Sequence, residues 1–124
     1  MIDFKNASFF KLSQVPVREF TSLLEPLMIN GEHILSAYQT VRDGIVFTNL
    51  RIFAINVQGV TGRKIDVTSI PYKSIKAFSV ESAGSFDNDS ELDVFVSAIG
   101  NIRFEFVGES NMELICKTIS ACCL

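Results

Sequence analysis

From residue 33 to residue 107, apolar side chains either alternate with polar ones or stand together in short runs, and each run stops at residues that turn a backbone. A period of two places successive side chains on opposite faces of a strand, so the pattern predicts β-structure. The densest part spans residues 43–72. There Asp43-Gly44 is the dipeptide of a two-residue hairpin turn between a run over 33–42 and one over 45–47. Residues 51–57 make a third run. Gly59 and Gly62 then reverse the chain into a fourth over 65–70, which Pro71 closes because it has no N–H to give to a ladder. Three more runs follow at 76–82, 91–98 and 102–106, the last two joined by Gly100-Asn101. Phe78 and Val80, then Leu92, Val94 and Val96, then Ile102, Phe104 and Phe106 each share one face of their run. Seven strands joined by short turns pair antiparallel.

Both ends of the chain read as helix. Asp3 starts a short helix over residues 3–11, with Phe4, Ala7 and Phe10 at helical spacing and Phe9 on its flank. Pro16 suits the first position of a second helix, in which Val17, Phe20 and Leu24 recur at i, i+3 and i+7 and which ends near Pro26. At the other end, Ser110-Asn111-Met112-Glu113 matches a capping box, where Ser and Glu side chains satisfy the first free amides of a helix. Met112, Ile115, Cys116, Ile119, Cys122 and Cys123 then form one apolar stripe, with Leu114, Ala121 and Leu124 off it. A chain of 124 residues fills one core. The expected organisation is a single domain over 1–124: a helical N-terminal segment (1–30), the strands (33–107) and a C-terminal helix (110–124). So many short antiparallel strands imply a sandwich or small barrel, because an open sheet would leave long unpaired edges.

The stretches IVFTNLR, QGVTGRK and SIPYKSI, and the later FSVESAG with Phe86, Asp89, Glu91 and Leu92, resemble the bacterial pleckstrin-homology (PH) family. The resemblance begins at Asn6-Ala7-Ser8, takes in Leu24-Glu25-Pro26-Leu27 and fades in the last helix. It implies a mainly β fold with helices: a PH-like, seven-stranded, antiparallel bent barrel capped by the C-terminal helix. It also implies ring-like homo-oligomers, mostly without an assigned ligand.

Composition narrows the function more than it defines it. The formal net charge is −3, which leaves no overall positive field to draw in nucleic acid or an anionic bilayer. Hydrophobic residues make up 48%, an apolar balance for a small domain and one that favours a partner surface. Cys116, Cys122 and Cys123 are odd in number, lie in one helix and lack CxxC spacing, so they are read as reduced thiols rather than a disulfide framework or zinc site. The first residues, MIDFKNASFF, have no basic stretch followed by an apolar one, and no window approaches a membrane span. The expected location is the cytoplasm.

Candidate chemistry is thin. His33 is the only histidine, and one imidazole cannot build the usual zinc or Ser-His-Asp sites. Asp87, Asp89, Glu91 and Asp93 resemble the start of a calcium loop, but Leu92 stands where its glycine belongs and Ala98 where its bidentate carboxylate belongs. The Gly59–Gly62 turn joins two strands, whereas a phosphate cradle needs a following helix. No catalytic, cofactor-binding or metal residue is therefore assigned. Thr48, Asn49 and Arg51 read as a kink in which side chains bond local backbone, with a ligand role for Arg51 as the alternative. The most basic window is 63–76, where Arg63, Lys64, Lys73 and Lys76 stand against Asp66. Phosphoinositide-binding PH domains carry their cations in a longer first hairpin loop; here Arg42-Asp43-Gly44 offers one arginine beside one aspartate, so lipid specificity does not follow from the resemblance.

The leading expectation is a non-enzymatic binding or scaffold module acting through homo-oligomerisation and contact with another, unknown protein. The alternative is weak binding to an anionic lipid surface through Arg51, Arg63, Lys64, Lys73 and Lys76. The expected oligomer is cyclic, with an interface drawn from apolar residues that the barrel does not use: Phe4, Phe9, Phe10, Phe95 and Leu114.

Overall fold

The computed structural model describes residues 1–5, 9–59, 64–82 and 89–124. Among these, eight strands form one curled sheet: β1 (Phe9–Val15), β2 (Ile34–Gln39), β3 (Asp43–Thr48), β4 (Arg51–Gln58), β5 (Lys64–Pro71), β6 (Ile75–Ser82), β7 (Ser90–Val96) and β8 (Gly100–Phe106). Their order is β5-β4-β3-β2-β1-β8-β7-β6, so β5 and β6, consecutive in the chain, form the two edges of a half-barrel. Helix α1 (Arg18–Leu24) continues into a single 3₁₀ turn at Glu25–Leu27, and helix α2 (Met112–Cys123) follows the last strand.

The seven expected strands are β2 to β8, and β1 is an addition. Phe9, Phe10 and Lys11 belong to this strand, not to the short helix expected over 3–11. The reason for the misreading is physical. β1 pairs parallel with β8 at Phe9 and Leu12, then antiparallel with β2 from Ser13 to Val15, and its register shifts between Phe9 and Leu12. Lys11, at φ 58°, sits in that irregularity. The bulge puts two buried side chains, Phe9 and Leu12, three residues apart, a spacing that imitates a helix. β1 also makes the sheet mixed rather than wholly antiparallel, and it stitches the β2–β5 half to the β6–β8 half.

Two turns lie two or more residues before the dipeptides that suggested them. The β2–β3 hairpin closes at Thr40, whose N–H donates to the Asp43 carbonyl (2.8 Å), with Thr40 Oγ1 accepting from the Asp43 N–H (3.0 Å). Gly44 is already in β3, and its missing side chain has another use: a Cβ there would lie 2.6 Å from Phe20 Cζ, so the α1 ring rests directly on the strand. The β7–β8 turn spans Ser97 to Ile99, and Gly100 opens β8 opposite Val96 with φ +101°, a value that favours glycine.

The sheet buries its two faces differently. Inside the curl, Tyr38, Phe47, Ile52, Ile70, Leu92, Phe104 and Phe106 form the main core, which α2 closes with Met112, Ile115 and Ile119, as its stripe predicted. Cys116, Cys122 and Cys123 pack partly buried against it. Outside, α1 lays Phe20 and Leu24 over Ala37, Val46, Phe53 and Ile55 of β2–β4, a second core. α2 does not use the capping box. Asn111 precedes it in a left-handed conformation (φ 56°), while the buried Ser110 shares a hydrogen bond with Ser90 Oγ (3.1 Å) and accepts one from Tyr38 Oη at its carbonyl. Ser110 thus ties α2 to β2 and β7 instead of capping a helix.

Candidate functional site

The polar chemistry is densest at the end of the barrel where β4 begins and β5 stops. Thr48, at the end of β3, bends the chain by accepting the Leu50 and Arg51 N–H groups at Oγ1 (3.0 and 3.1 Å). Asn49 accepts the His33 N–H (2.9 Å) and donates to the Gly31 carbonyl (3.1 Å). The kink holds Arg51 against Glu32: Nε donates to Oε2 at 2.9 Å and Nη2 to Oε1 at 2.6 Å, while Thr48 Oγ1 donates to Oε2 at 2.7 Å. The Glu32 side chain is covered from solvent, and the Arg51 guanidinium holds its carboxyl far below the usual range, at about 2. Arg51 also donates to the Leu27 carbonyl (3.0 Å) and Ser69 Oγ (3.2 Å) and lies over the Phe53 ring, 4.5 Å from its centroid. Four of its five N–H donors are engaged, which leaves a single one, on Nη1, for a ligand.

The C-terminus of α2 is sewn to the same end. Tyr72 Oη donates to the Thr48 carbonyl (2.7 Å), Cys123 Sγ to the Tyr72 carbonyl (2.8 Å) and Cys122 Sγ to the Asn49 carbonyl (3.6 Å). Burial pushes the Cys116 and Cys123 thiols up, which keeps them protonated and weakly nucleophilic. Beside this network lies a shallow recess of about 270 Å³, walled by Ile29, Leu50, Pro71 and Cys122, with Lys73 and Arg51 on its rim.

The basic window does not gather on this recess. Lys64 opens β5 opposite Gln58, whereas Pro71 closes it opposite Arg51. Seven residues of extended chain put about 23 Å between them. Lys73 and Lys76 are exposed near the Pro71 end, and Arg63 lies outside the described residues.

The outer face of β6–β8 is built differently from the α1-covered half. Glu81, Glu91 and Glu105 stand directly across from one another on three strands, followed by Ser79, Asp93 and Arg103 and then by Ala77, Phe95 and Asn101. Arg103 relieves the carboxylates, bonding Asp93 at 3.0 Å and lying 3.6 Å from Glu91; its hydrogen bond is what lowers the Asp93 carboxyl. Asp89 accepts the Gly108 N–H (2.6 Å), and Asp87 and Phe86 are outside the described residues. The described part of the acidic run thus holds a turn and a strand, and no three His, Cys, Asp or Glu side chains among the described residues converge as metal ligands.

The expected interface residues separate into two groups. Phe9 is 1% exposed and stacks edge-on against Phe104, and Phe4 packs against Phe9, so the barrel uses both. Phe10, Phe95 and Leu114 are 47%, 45% and 40% exposed.

The profile of the bacterial PH domain family matches residues 3–123. The chain belongs to that family. Relatives of this bacterial PH domain include the uncharacterised protein YjqA of Bacillus subtilis strain 168, 41% identical over 82% of each chain. A second is the uncharacterised protein YozO of the same strain, 34% identical over 72% of this chain and 76% of the relative. Among solved structures, a DUF1696 family protein with a pleckstrin-homology domain from Shewanella loihica PV-4 is 38% identical and superposes with a TM-score of 0.76, covering 93% of this chain and 99% of that one. A pleckstrin homology domain from Shewanella amazonensis SB2B, also 38% identical, gives 0.62 over 96% and 93%. In this PH domain the β2–β3 turn has its arginine occupied, since Arg42 Nη1 donates to the Gly59 carbonyl (3.0 Å). No helix among the described residues is long and apolar enough to cross a membrane.

Sequence reasoning found the Thr48-Asn49-Arg51 kink but missed Glu32, the residue it serves. The two are 16 to 19 positions apart, and nothing in the local spacing marks that carboxylate as buried.

Proposed function

We propose that this bacterial PH domain is a non-enzymatic, cytoplasmic binding or scaffold module that works by assembling with copies of itself and by contacting another protein. The observation that carries this reading is the uneven cover of the sheet. Helix α1 hides the outer face of β2–β4, whereas the outer face of β6–β8 has Phe95 protruding at 45% exposure between Ala77 and Asn101. Phe10 and Leu114 add further exposed apolar side chains, and where such residues join into a contiguous patch they mark an interface. Identical copies that contact through two different faces close into a ring when the rotation permits. Size exclusion with light scattering on the parent and on Phe95→Glu tests this. The expected result is an assembled parent and a variant shifted towards monomer, and a variant that stays fully assembled removes Phe95 from the interface.

A second reading, weak attraction to an anionic lipid surface, draws on Lys73 at the rim of an apolar recess. It predicts pelleting with anionic but not neutral vesicles, lost as salt rises. Because the cations are spread over two ends of β5 and Arg42 is occupied, no preference between phosphoinositide headgroup isomers is expected. Micromolar discrimination between isomers at physiological salt contradicts that.

A further inference from the structure

At the recess between the β4 kink and the end of α2, apolar side chains stand in water on a backbone that is already fixed. The Leu50 N–H donates to Thr48 Oγ1 (3.0 Å) and its carbonyl accepts from the Tyr72 N–H (3.1 Å), yet the Leu50 side chain is 39% exposed. The Ile29 N–H donates to Glu32 Oε1 (3.1 Å), and Ile29 is 60% exposed. Pro71 and Cys122 complete the walls, with the Cys122 thiol tied to the Asn49 carbonyl (3.6 Å). Walls held in place beforehand cost a ligand little ordering entropy.

The polar groups at this recess are few and of one sign. Glu32 clamps the Arg51 guanidinium and cancels its charge, leaving one N–H on Nη1 open. The Lys73 ammonium forms no hydrogen bond or ion pair among the described residues. With two cations against Glu32, the rim keeps one uncompensated positive charge. Apolar walls with a few convergent polar groups are the usual make-up of a small-molecule site.

We infer that this recess binds a small dissolved monocarboxylate with an apolar body, its carboxylate on Lys73 and the open Arg51 N–H, its body against Ile29, Leu50, Pro71 and Cys122. The inference goes beyond both readings above, since its ligand is neither a second copy nor a bilayer. One negative charge matches the charge left on the rim. The volume of about 270 Å³ sets the size: at about 30 Å³ per non-hydrogen atom, the share of a water molecule in the liquid, it holds roughly nine. An extended peptide fits less well, because Pro71, in the wall, has no N–H to give to a new strand.

The probe is octanoate, followed by calorimetry on the parent domain at physiological salt. 1-Octanol, which lacks the charge, should bind about tenfold or more weakly. Each methylene removed from the acid should weaken binding by up to about fourfold. Lys73 is exposed, so Lys73→Glu should fold, which circular dichroism checks, and should lose octanoate by at least about tenfold. A second readout fixes the location: octanoate should slow alkylation of Cys122 by iodoacetamide and leave the rate at Cys116 unchanged. Octanol binding as tightly as octanoate, full affinity in Lys73→Glu, or equal protection of both thiols would each overturn the inference. So would pelleting with anionic vesicles without any binding of dissolved octanoate, which would give Lys73 to a membrane surface instead.

Discussion

Glu32 carries more of the barrel's closed end than its place in a polar turn suggests, since it accepts hydrogen bonds from Arg51, from Thr48 and from the Ile29 N–H (3.1 Å). Its folded-state carboxyl, at about 2, lies below the unfolded value of 4.5. A lowered carboxylate contributes stability that is complete above the unfolded value and disappears as pH falls towards the folded one, so the loss belongs to the window from 4.5 down to about 2. That shift corresponds to something on the order of 3 kcal/mol. Chemical denaturation should show Glu32→Gln less stable than the parent by about 2–3 kcal/mol at neutral pH, because Arg51 loses its counter-charge. Below pH 4.5 the two should converge; acid limbs that run parallel would count against the assignment. Gly44→Ala makes a second prediction. The added methyl meets Phe20 at 2.6 Å, inside a packed core, and should cost about 1–3 kcal/mol, recovered in part by shortening the ring with Phe20→Leu. An unchanged urea midpoint for Gly44→Ala would mean that Phe20 is not seated on β3. The dipeptide Asp43-Gly44 was legible as turn chemistry but lies two residues past the turn, because a glycine needed for close approach and one needed for a turn look alike in sequence.

At the scale of elements, seven strands and both helices could be read from the sequence: β5 to β8 and the helices have one buried and one more exposed face, while β2 to β4, covered on both faces, stand as short apolar runs between turn residues. β1 could not. Its bulge at Lys11 replaces the two-residue period with a spacing of three, and its pairing with β8 joins residues almost a hundred positions apart. α2 was legible as a stripe and misread at its start, because Ser110 bonds Ser90 and Tyr38 across the fold, partners that local spacing cannot reveal. The stripe itself supports a direct prediction. Ile119 is fully buried against the main core, so Ile119→Asp places an unpaired carboxylate among apolar side chains and should lower stability by several kcal/mol, on the order of 3–5. A variant that melts with the parent would mean that α2 does not close the barrel.

For the molecule as a whole, sequence patterning implied a sandwich or small barrel, the resemblance to the bacterial PH family implied the PH-like architecture, and the asymmetry of the sheet stayed hidden. Which half of the sheet α1 covers depends on how the strands curl, and that is fixed only when β1 joins the halves. The outcome is a domain whose buried polar groups are largely committed to structural bonds, while Phe95 stands exposed on the outer face of β6–β8. The central claim is that copies of this chain assemble through that face. The direct measurement is the mass of the untagged parent by sedimentation velocity across a concentration series reaching tens of micromolar. The account predicts a species at a whole multiple of 13.8 kDa that persists on dilution, and a single 13.8 kDa species at every concentration would contradict it.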